Sequence, residues 1–287
     1  MAIPQPRAVT VGAGVVGVYE YGVPDGAPVF VFHGTPACGA GFAWADAPAR
    51  ERSLRLIAPD RPGVGLSSRL DSYTVADYPP MVAALADALG IERFAVWGYS
   101  GGGPYAAACA ALLADRLSAA AISAGMGQMG VWAEADDFEQ TDRQLLGLAP
   151  KHPMVARVVL AGAGRLARIA PKVAIKSFEK QLNESDRATA ATLGPPAETM
   201  ALFTQAFLRG AHGVVADYVA LAQPWGVAVE GIQVATKVFH GDDDSMVPLR
   251  HSQELTARVP NAQLTVWPGE GHLATVAHVG EILDAVR

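Results

Sequence analysis

Short apolar runs alternate with helix-period stretches along the first 125 residues. PVFVFHG (28–34), LRLIAPD (54–60), RFAVWG (93–98) and LSAAAISAG (117–125) have almost no polar positions and end in Gly, Pro or Asp. Runs of that length without a polar face read as strands buried on both sides. Between them, VAALADALG (82–90) reads as the end of an amphipathic helix stopped by Gly90, and PYAAACAALLA (104–114) as a small-residue helix able to lie close on a sheet. Such alternation implies a parallel sheet covered on both faces.

The pattern changes near residue 130. From Val131 to about Pro224 no strand pattern occurs. The stretches 134–149, 154–170, 171–182, 184–193, 197–208 and 213–222 all read as helices, punctuated by Pro150, Pro153, Pro171, Pro195 and Pro196. Alternation then resumes with VATKVFHG (234–241), a helix at 249–259, QLTVWPG (263–269) and a last helix. The expected organisation is a core of residues 1–130 and 225–287 with a helical insertion, 131–224.

The opening VTVGAGVVGVYEYG contains GAGVVG (12–17), a literal G-x-G-x-x-G. That fingerprint works by holding a pyrophosphate at a helix N-terminus, so a helix must follow. Val18-Tyr19-Glu20-Tyr21-Gly22 and the VPDGAP turn do not supply one. Two strands joined by a glycine turn fit better, and no nucleotide cofactor is expected.

Composition narrows the class. Of 287 residues, 51% are hydrophobic and 17% charged, with a net charge of −6. A large core follows, and without a basic block nucleic acid is not an expected partner. Cys38 and Cys109 lie far apart without C-x-x-C spacing, which argues against zinc and a disulfide framework and favours a reducing compartment. Arg7 and the uncharged run Ala8–Tyr19 imitate a signal core but lack leucines and an A-x-A site. Phe94–Ala114 is uncharged and long enough to span a bilayer, but GYSGGGP inside it suits a strand–turn–helix junction. The expectation is a cytoplasmic chain with no membrane span.

Chemistry concentrates in VWGYSGGGP (96–104). Gly98-Tyr99-Ser100-Gly101-Gly102 is G-x-S-x-G between a strand and a helix, where the turn strains the serine backbone and the flanking glycines let the two elements nearly touch. A serine needs a base, and the base an orienting acid. HGDDDSMVP (240–248) and GEGH (269–272) each follow a late strand and offer Asp244 as acid and His272 as base. His152 and His212 fall in the insertion, and His251 and His278 on predicted helices. An oxyanion needs two donors. The Gly101 N–H follows the nucleophile, and HGTPACG (33–39) would present the Thr35 N–H; Pro36 has none. His33 reads as a residue that fixes this loop.

With HGTP, DRPGVGLS, GYSGGGP, GDDDSMVP and GEGH in this order, the chain resembles the α/β-hydrolase fold superfamily over nearly its whole length. The resemblance implies a mostly parallel eight-stranded sheet with helices on both faces, an opening β-hairpin, and a helical lid inserted after the sixth strand. It makes Asp60 and Arg61 of DRPGVGLS structural. Its acid pattern, glycine, two variable residues, acid, two residues, valine-proline, fits Gly241, Asp244, Val247 and Pro248. Three adjacent carboxylates cannot all stay ionised in one dry site, so at least one of Asp242–Asp244 should face solvent. The prolines of YPPM (78–81) depart from the family's continuous helix and should shorten or kink it.

The resemblance therefore implies a serine hydrolase of a small-molecule ester or similar acyl compound, with no metal or organic cofactor. Lactonases, thioesterases, carbon–carbon bond hydrolases, perhydrolases and aminopeptidases keep the same serine. Aspartate-using dehalogenases and epoxide hydrolases do not. Glu134, Asp136, Asp137 and Glu139 could bind a substrate amine or form an exposed face. A receptor-like member of the fold is the alternative from another class. Tyr99 and the apolar insertion residues Trp132, Phe138, Leu145, Met200, Phe203 and Phe207 are candidates to line the substrate site, or else ordinary lid core.

Overall fold

The computed structural model describes residues 4–287. Its strands are β1 (Arg7–Val11), β2 (Gly14–Gly22), β3 (Ala27–Phe32), β4 (Leu54–Pro59), β5 (Phe94–Tyr99), β6 (Leu117–Ser123), β7 (Thr236–Gly241) and β8 (Ala262–Trp267). They form one eight-stranded sheet in the order β1-β2-β4-β3-β5-β6-β7-β8. β1 pairs antiparallel with β2, and β2 with β4; every later pairing is parallel. The opening G-x-G-x-x-G is the turn and start of this hairpin, with Gly12 at φ +56°.

The helices are α1 (Asp46–Glu51), α2 (Tyr78–Ala88), α3 (Gly103–Leu112), α4 (Gln140–Lys151), α5 (Pro153–Ile169), α6 (Pro171–Glu179), α7 (Glu184–Thr192), α8 (Pro196–Thr204), α9 (His212–Leu221), α10 (Leu249–Arg258), α11 (Ala274–Ala277) and α12 (Val279–Ala285). Six of them, α4 to α9, lie between β6 and β7.

Two expectations about prolines change. Pro79 and Pro80 do not kink α2; they occupy its first turn, where a missing N–H costs nothing because the first amides have no intrahelical acceptor. Pro150 does not separate two helices either, since α4 continues through it to Lys151. The expected last helix is two short ones, α11 and α12.

The sheet positions the site. After β3 the chain first builds β4 on one side, then returns to lay β5 on the other. Loops leaving the carboxyl ends of β3 and β5 therefore diverge and open a crevice, the usual ligand position in such sheets. The segments carrying Thr35, Ser100, Asp244 and His272 follow β3, β5, β7 and β8. β5 is buried along its length up to Gly98.

Candidate active site

Ser100 sits in the left-handed region at φ +56°. That is uncommon for a residue with a side chain and costs of order 1–3 kcal/mol. Packing at the neighbouring glycines enforces it. A Cβ on Gly98 would lie 2.3 Å from the Gly102 carbonyl oxygen, and one on Gly102 would lie 2.0 Å from that of Phe32. β3, β5 and the start of α3 therefore meet backbone to backbone, and Ser100 is left half-buried.

The loop after β3 runs beside this hydroxyl. A Cβ on Gly34 would sit 3.5 Å from Ser100 Oγ, and one on Gly101 would sit 3.2 Å from Thr35 N. The Thr35 N–H has no hydrogen-bond partner among the described residues.

Arg61 shapes that loop from beneath. It is fully buried and donates from Nη1 to the His33 carbonyl at 2.5 Å, and from Nη2 to the Gly34 carbonyl at 3.0 Å and Thr35 Oγ1 at 2.8 Å. Its charge is met by Asp217 of α9, which accepts from Nε at 2.8 Å and Nη2 at 2.6 Å. Thr35 Oγ1 also donates to Asp217 Oδ2. Tyr105 and Tyr73 donate to Oδ1 at 2.7 and 3.2 Å. Burial pushes the Asp217 carboxyl up, but Arg61 outweighs it and holds the group below the ordinary range. His33 is fixed in the same cluster. Nδ1 lies 2.8 Å from the Gly34 carbonyl and Nε2 faces the Arg61 N–H at 3.4 Å, so Nδ1 carries the proton. Burial and then Arg61 push its pKa down to about 3, which keeps it neutral.

The loops after β7 and β8 also touch: a Cβ on Gly241 would lie 2.2 Å from the Glu270 carbonyl. His272 Nδ1 is 2.7 Å from Asp244 Oδ2, and both side chains are buried. The other oxygen, Oδ1, accepts the amides of Met246 at 2.8 Å and Val247 at 2.9 Å. His240, which sequence reasoning passed over, lies with Nε2 3.2 Å from Asp244 Oδ2 and is itself held by Ser252 at 2.6 Å. Burial pushes Asp244 up, but His272 and His240 bring it well below the usual carboxylate range. Asp242 and Asp243 are exposed and used elsewhere, on the Gly269 amide at 2.6 Å and the Asn183 side chain at 2.8 Å.

Helix α7 grips both loops. Asp186 accepts the amides of His272 at 3.0 Å and Leu273 at 2.7 Å, and its carboxylate fills the space a Cβ on Gly271 would need. Asn183 caps α7 through Asp186 N at 2.7 Å and donates to the Asp243 carbonyl at 2.7 Å.

The charged groups acting most strongly on His272 are carboxylates. Burial pushes its imidazole down, but Asp244, Asp186 and Asp142 outweigh that and the net shift is upward. Asp142, on α4, accepts from the Tyr218 hydroxyl at 2.6 Å, and burial pushes its pKa up to about 6.

The ring of Tyr99 lies 5.1 Å from that of His272. Ser100 Oγ has no hydrogen-bond partner among the described residues, so the serine–histidine bond that a proton transfer needs is not formed in this conformation. Trp132 packs on Trp225 at 5.2 Å, with Arg258 4.8 Å over its ring, which spends it on the core. Phe207 closes over Gly164 of α5 and meets Phe203 at 5.4 Å. Asp137 pairs with Arg250 and His251, and Glu139 caps α4, so neither is a free acid. Among the described residues no helix is long and apolar enough to cross a membrane. None of their His, Cys, Asp and Glu side chains gather in threes where they could hold a metal ion.

The chain is 26% identical over 257 residues to a 2-hydroxymuconate semialdehyde hydrolase of Pseudomonas putida, covering 88% of this chain and 83% of the relative. It is 27% identical over 269 residues to a 2-hydroxy-6-oxo-2,4-heptadienoate hydrolase of Pseudomonas putida (strain ATCC 700007 / DSM 6899 / JCM 31910 / BCRC 17059 / LMG 24140 / F1), covering 91% and 87%. Its fold superposes on a thermophilic esterase of Thermogutta terrifontis with a TM-score of 0.68 at 21% identity, over 99% of this chain and 97% of the other. The family model described as the alpha/beta hydrolase fold matches residues 27–278. The chain belongs to the alpha/beta hydrolase fold family.

Proposed function

We propose that this protein is a serine hydrolase of a neutral carboxylic ester or related acyl compound. The carrying observation is the buried His272–Asp244 pair, 2.7 Å apart, whose imidazole lies 5.1 Å from the ring of Tyr99, next in the chain to the strained Ser100. In this reading Ser100 Oγ attacks the acyl carbon and passes its proton to His272 Nε2. Asp244 keeps the Nδ1 proton in place and stabilises the imidazolium. The N–H groups of Thr35 and Gly101 receive the oxyanion. His272 returns the proton to the leaving group, and water then releases the acyl-enzyme. Residues 1–130 and 225–287 form the hydrolase core, and 131–224 cover it. Tyr99 and Phe203 are the proposed substrate contacts; the packing of Trp132 and Phe207 favours structural roles for them.

A second reading, carbon–carbon bond hydrolysis, draws on the names of the Pseudomonas relatives. The second relative's substrate is a carboxylate by name, and a buried carboxylate needs a cation. Here Arg61 is spent on Asp217, and Asp142 and Asp186 make the surroundings of His272 negative. That favours a neutral acyl substrate.

The test is turnover of p-nitrophenyl acetate and butyrate against turnover of 2-hydroxymuconate semialdehyde, with Ser100→Ala as control. Ester turnover should fall by about 10⁴–10⁶ in the variant. A fluorophosphonate should label wild type only. Labelling at another serine would refute the mechanism, and preference for the semialdehyde would replace the substrate class.

A further inference from the structure

Helix α5 buries one narrow face. Ala156, Leu160, Gly164 and Ala167 are its buried residues, recurring at i, i+4, i+8 and i+11. A surface helix normally presents polar residues on the other side. This one presents Met154, Val155, Val158, Val159, Leu166 and Ile169, all exposed, with Val158 at 72% and Ile169 at 69%. At ~100° per residue they lie opposite the buried face. Val173 and Phe178 of α6, which packs on α5, are exposed as well.

The charge on this segment is one-sided. Residues 151–180, which take in both helices, contain seven basic side chains, Lys151, Arg157, Arg165, Arg168, Lys172, Lys176 and Lys180, against one carboxylate, Glu179, in a chain of net charge −6. All seven are exposed. On α5, Arg157 and Arg168 sit along one edge of the apolar stripe, and Arg165 falls just inside that edge, between Met154 and Val158 in angle.

We propose that the α5–α6 face docks on an anionic lipid surface. The aliphatic stripe enters the boundary between headgroups and acyl chains, and the flanking cations meet the lipid phosphates. An apolar stripe bordered by Lys and Arg is the pattern that lies in such an interface. Spanning is excluded by length: 17 residues at 1.5 Å each reach only ~25 Å. A second copy is a poorer occupant, because an isologous contact sets one group of cations against another. The stripe also lacks the Trp and Tyr anchors that dominate protein–protein contacts.

The experiment is flotation of the full chain with vesicles of phosphatidylcholine, with and without phosphatidylglycerol. The protein should float with the phosphatidylglycerol vesicles, release as salt rises, and stay behind with pure phosphatidylcholine. Two double variants, Val158→Asp with Ile169→Asp and Arg165→Glu with Arg168→Glu, should each weaken binding at least about tenfold. Both should keep wild-type thermal unfolding and wild-type turnover of a soluble ester. No binding, equal binding to both vesicles, or binding that survives both variants overturns the proposal. So does a wild-type dimer in sedimentation equilibrium that the Val158→Asp, Ile169→Asp variant dissolves, since it gives the face to a second copy.

Discussion

Helices α7 and α9 share one insertion with α5 and α6, but the two pairs contact their surroundings in opposite ways. α9 sends Asp217 into a dry cluster with Arg61, Thr35, Tyr73 and Tyr105, and its Gly213 lies so close to Gly63 that a Cβ there would be 2.0 Å from the Gly63 carbonyl carbon. α7 sends Asp186 onto the backbone of the loop after β8, at residues 272 and 273. α5 and α6 turn valines, leucine, isoleucine and methionine outward, and with α8 they share a small separate cluster of Ala167, Ile175 and Met200. Position in the chain is therefore a poor guide to role. One pair holds loops of the site in shape, and the other presents a surface.

The sharpest separation lies between two neighbouring acids. Asp244→Asn should lower kcat by on the order of 10⁴, because the amide favours the wrong imidazole tautomer. Asp243→Asn, which changes only the partner of Asn183 on α7, should stay within about tenfold. Steady-state turnover of a p-nitrophenyl ester reads both, and a reversal would move the acid by one residue.

Next come the two halves of the insertion. Asp217→Ala leaves Arg61 buried and unpaired, so chemical denaturation should show a loss of about 3–5 kcal/mol. Val158→Asp, on an exposed site, should stay within about 0.5 kcal/mol. Equal losses would erase the distinction.

A smaller effect is expected at α7. Asp186→Ala strips the acceptor from two buried amides and should cost about 1–3 kcal/mol, with kcat reduced more than KM is raised, because His272 loses its backbone support. Asp186→Asn keeps one acceptor and should recover part of kcat. Recovery of stability without kcat would make the role merely structural.

The smallest is a shift in pH dependence. In the proposed mechanism neutral His272 acts as the base, so turnover should fall as pH drops through its pKa. That pKa is raised from the ordinary value near 6.5, so the acidic limb should have its midpoint above that value. Asp186→Asn removes one of the carboxylates raising it, and the limb should move to lower pH. A limb that stays in place would deny Asp186 any electrostatic hold on His272.

What was legible in the sequence was local. Gly98-Tyr99-Ser100-Gly101-Gly102 announces a backbone collision within five residues, and HGTP, GDDDSMVP and GEGH lie where strands end. Charge repulsion requires only that at least one of Asp242–Asp244 face solvent; that Asp244 is the buried one follows the spacing of Gly241, Val247 and Pro248 around it. Asp217 and Asp186 were not legible. Asp217 is the one acid of a mostly apolar helix and Asp186 shares its helix with Glu184; their partners lie 156 and 86 residues away. Only the docking of the insertion turns a surface-looking carboxylate into a buried one. Pro79 and Pro80 mislead for a different reason, because a proline pair ends a helix or begins one depending on where its first turn falls.

The Asp217 contact also sets a rule for building chimaeras. A cover exchanged between relatives needs its downstream splice ahead of His212, so that α9 stays with the host whose arginine it neutralises. A donor cover without an acid matching Asp186 would leave the amides of residues 272 and 273 bare. Such a hybrid should fail in its catalytic loops even where its new cover folds perfectly well.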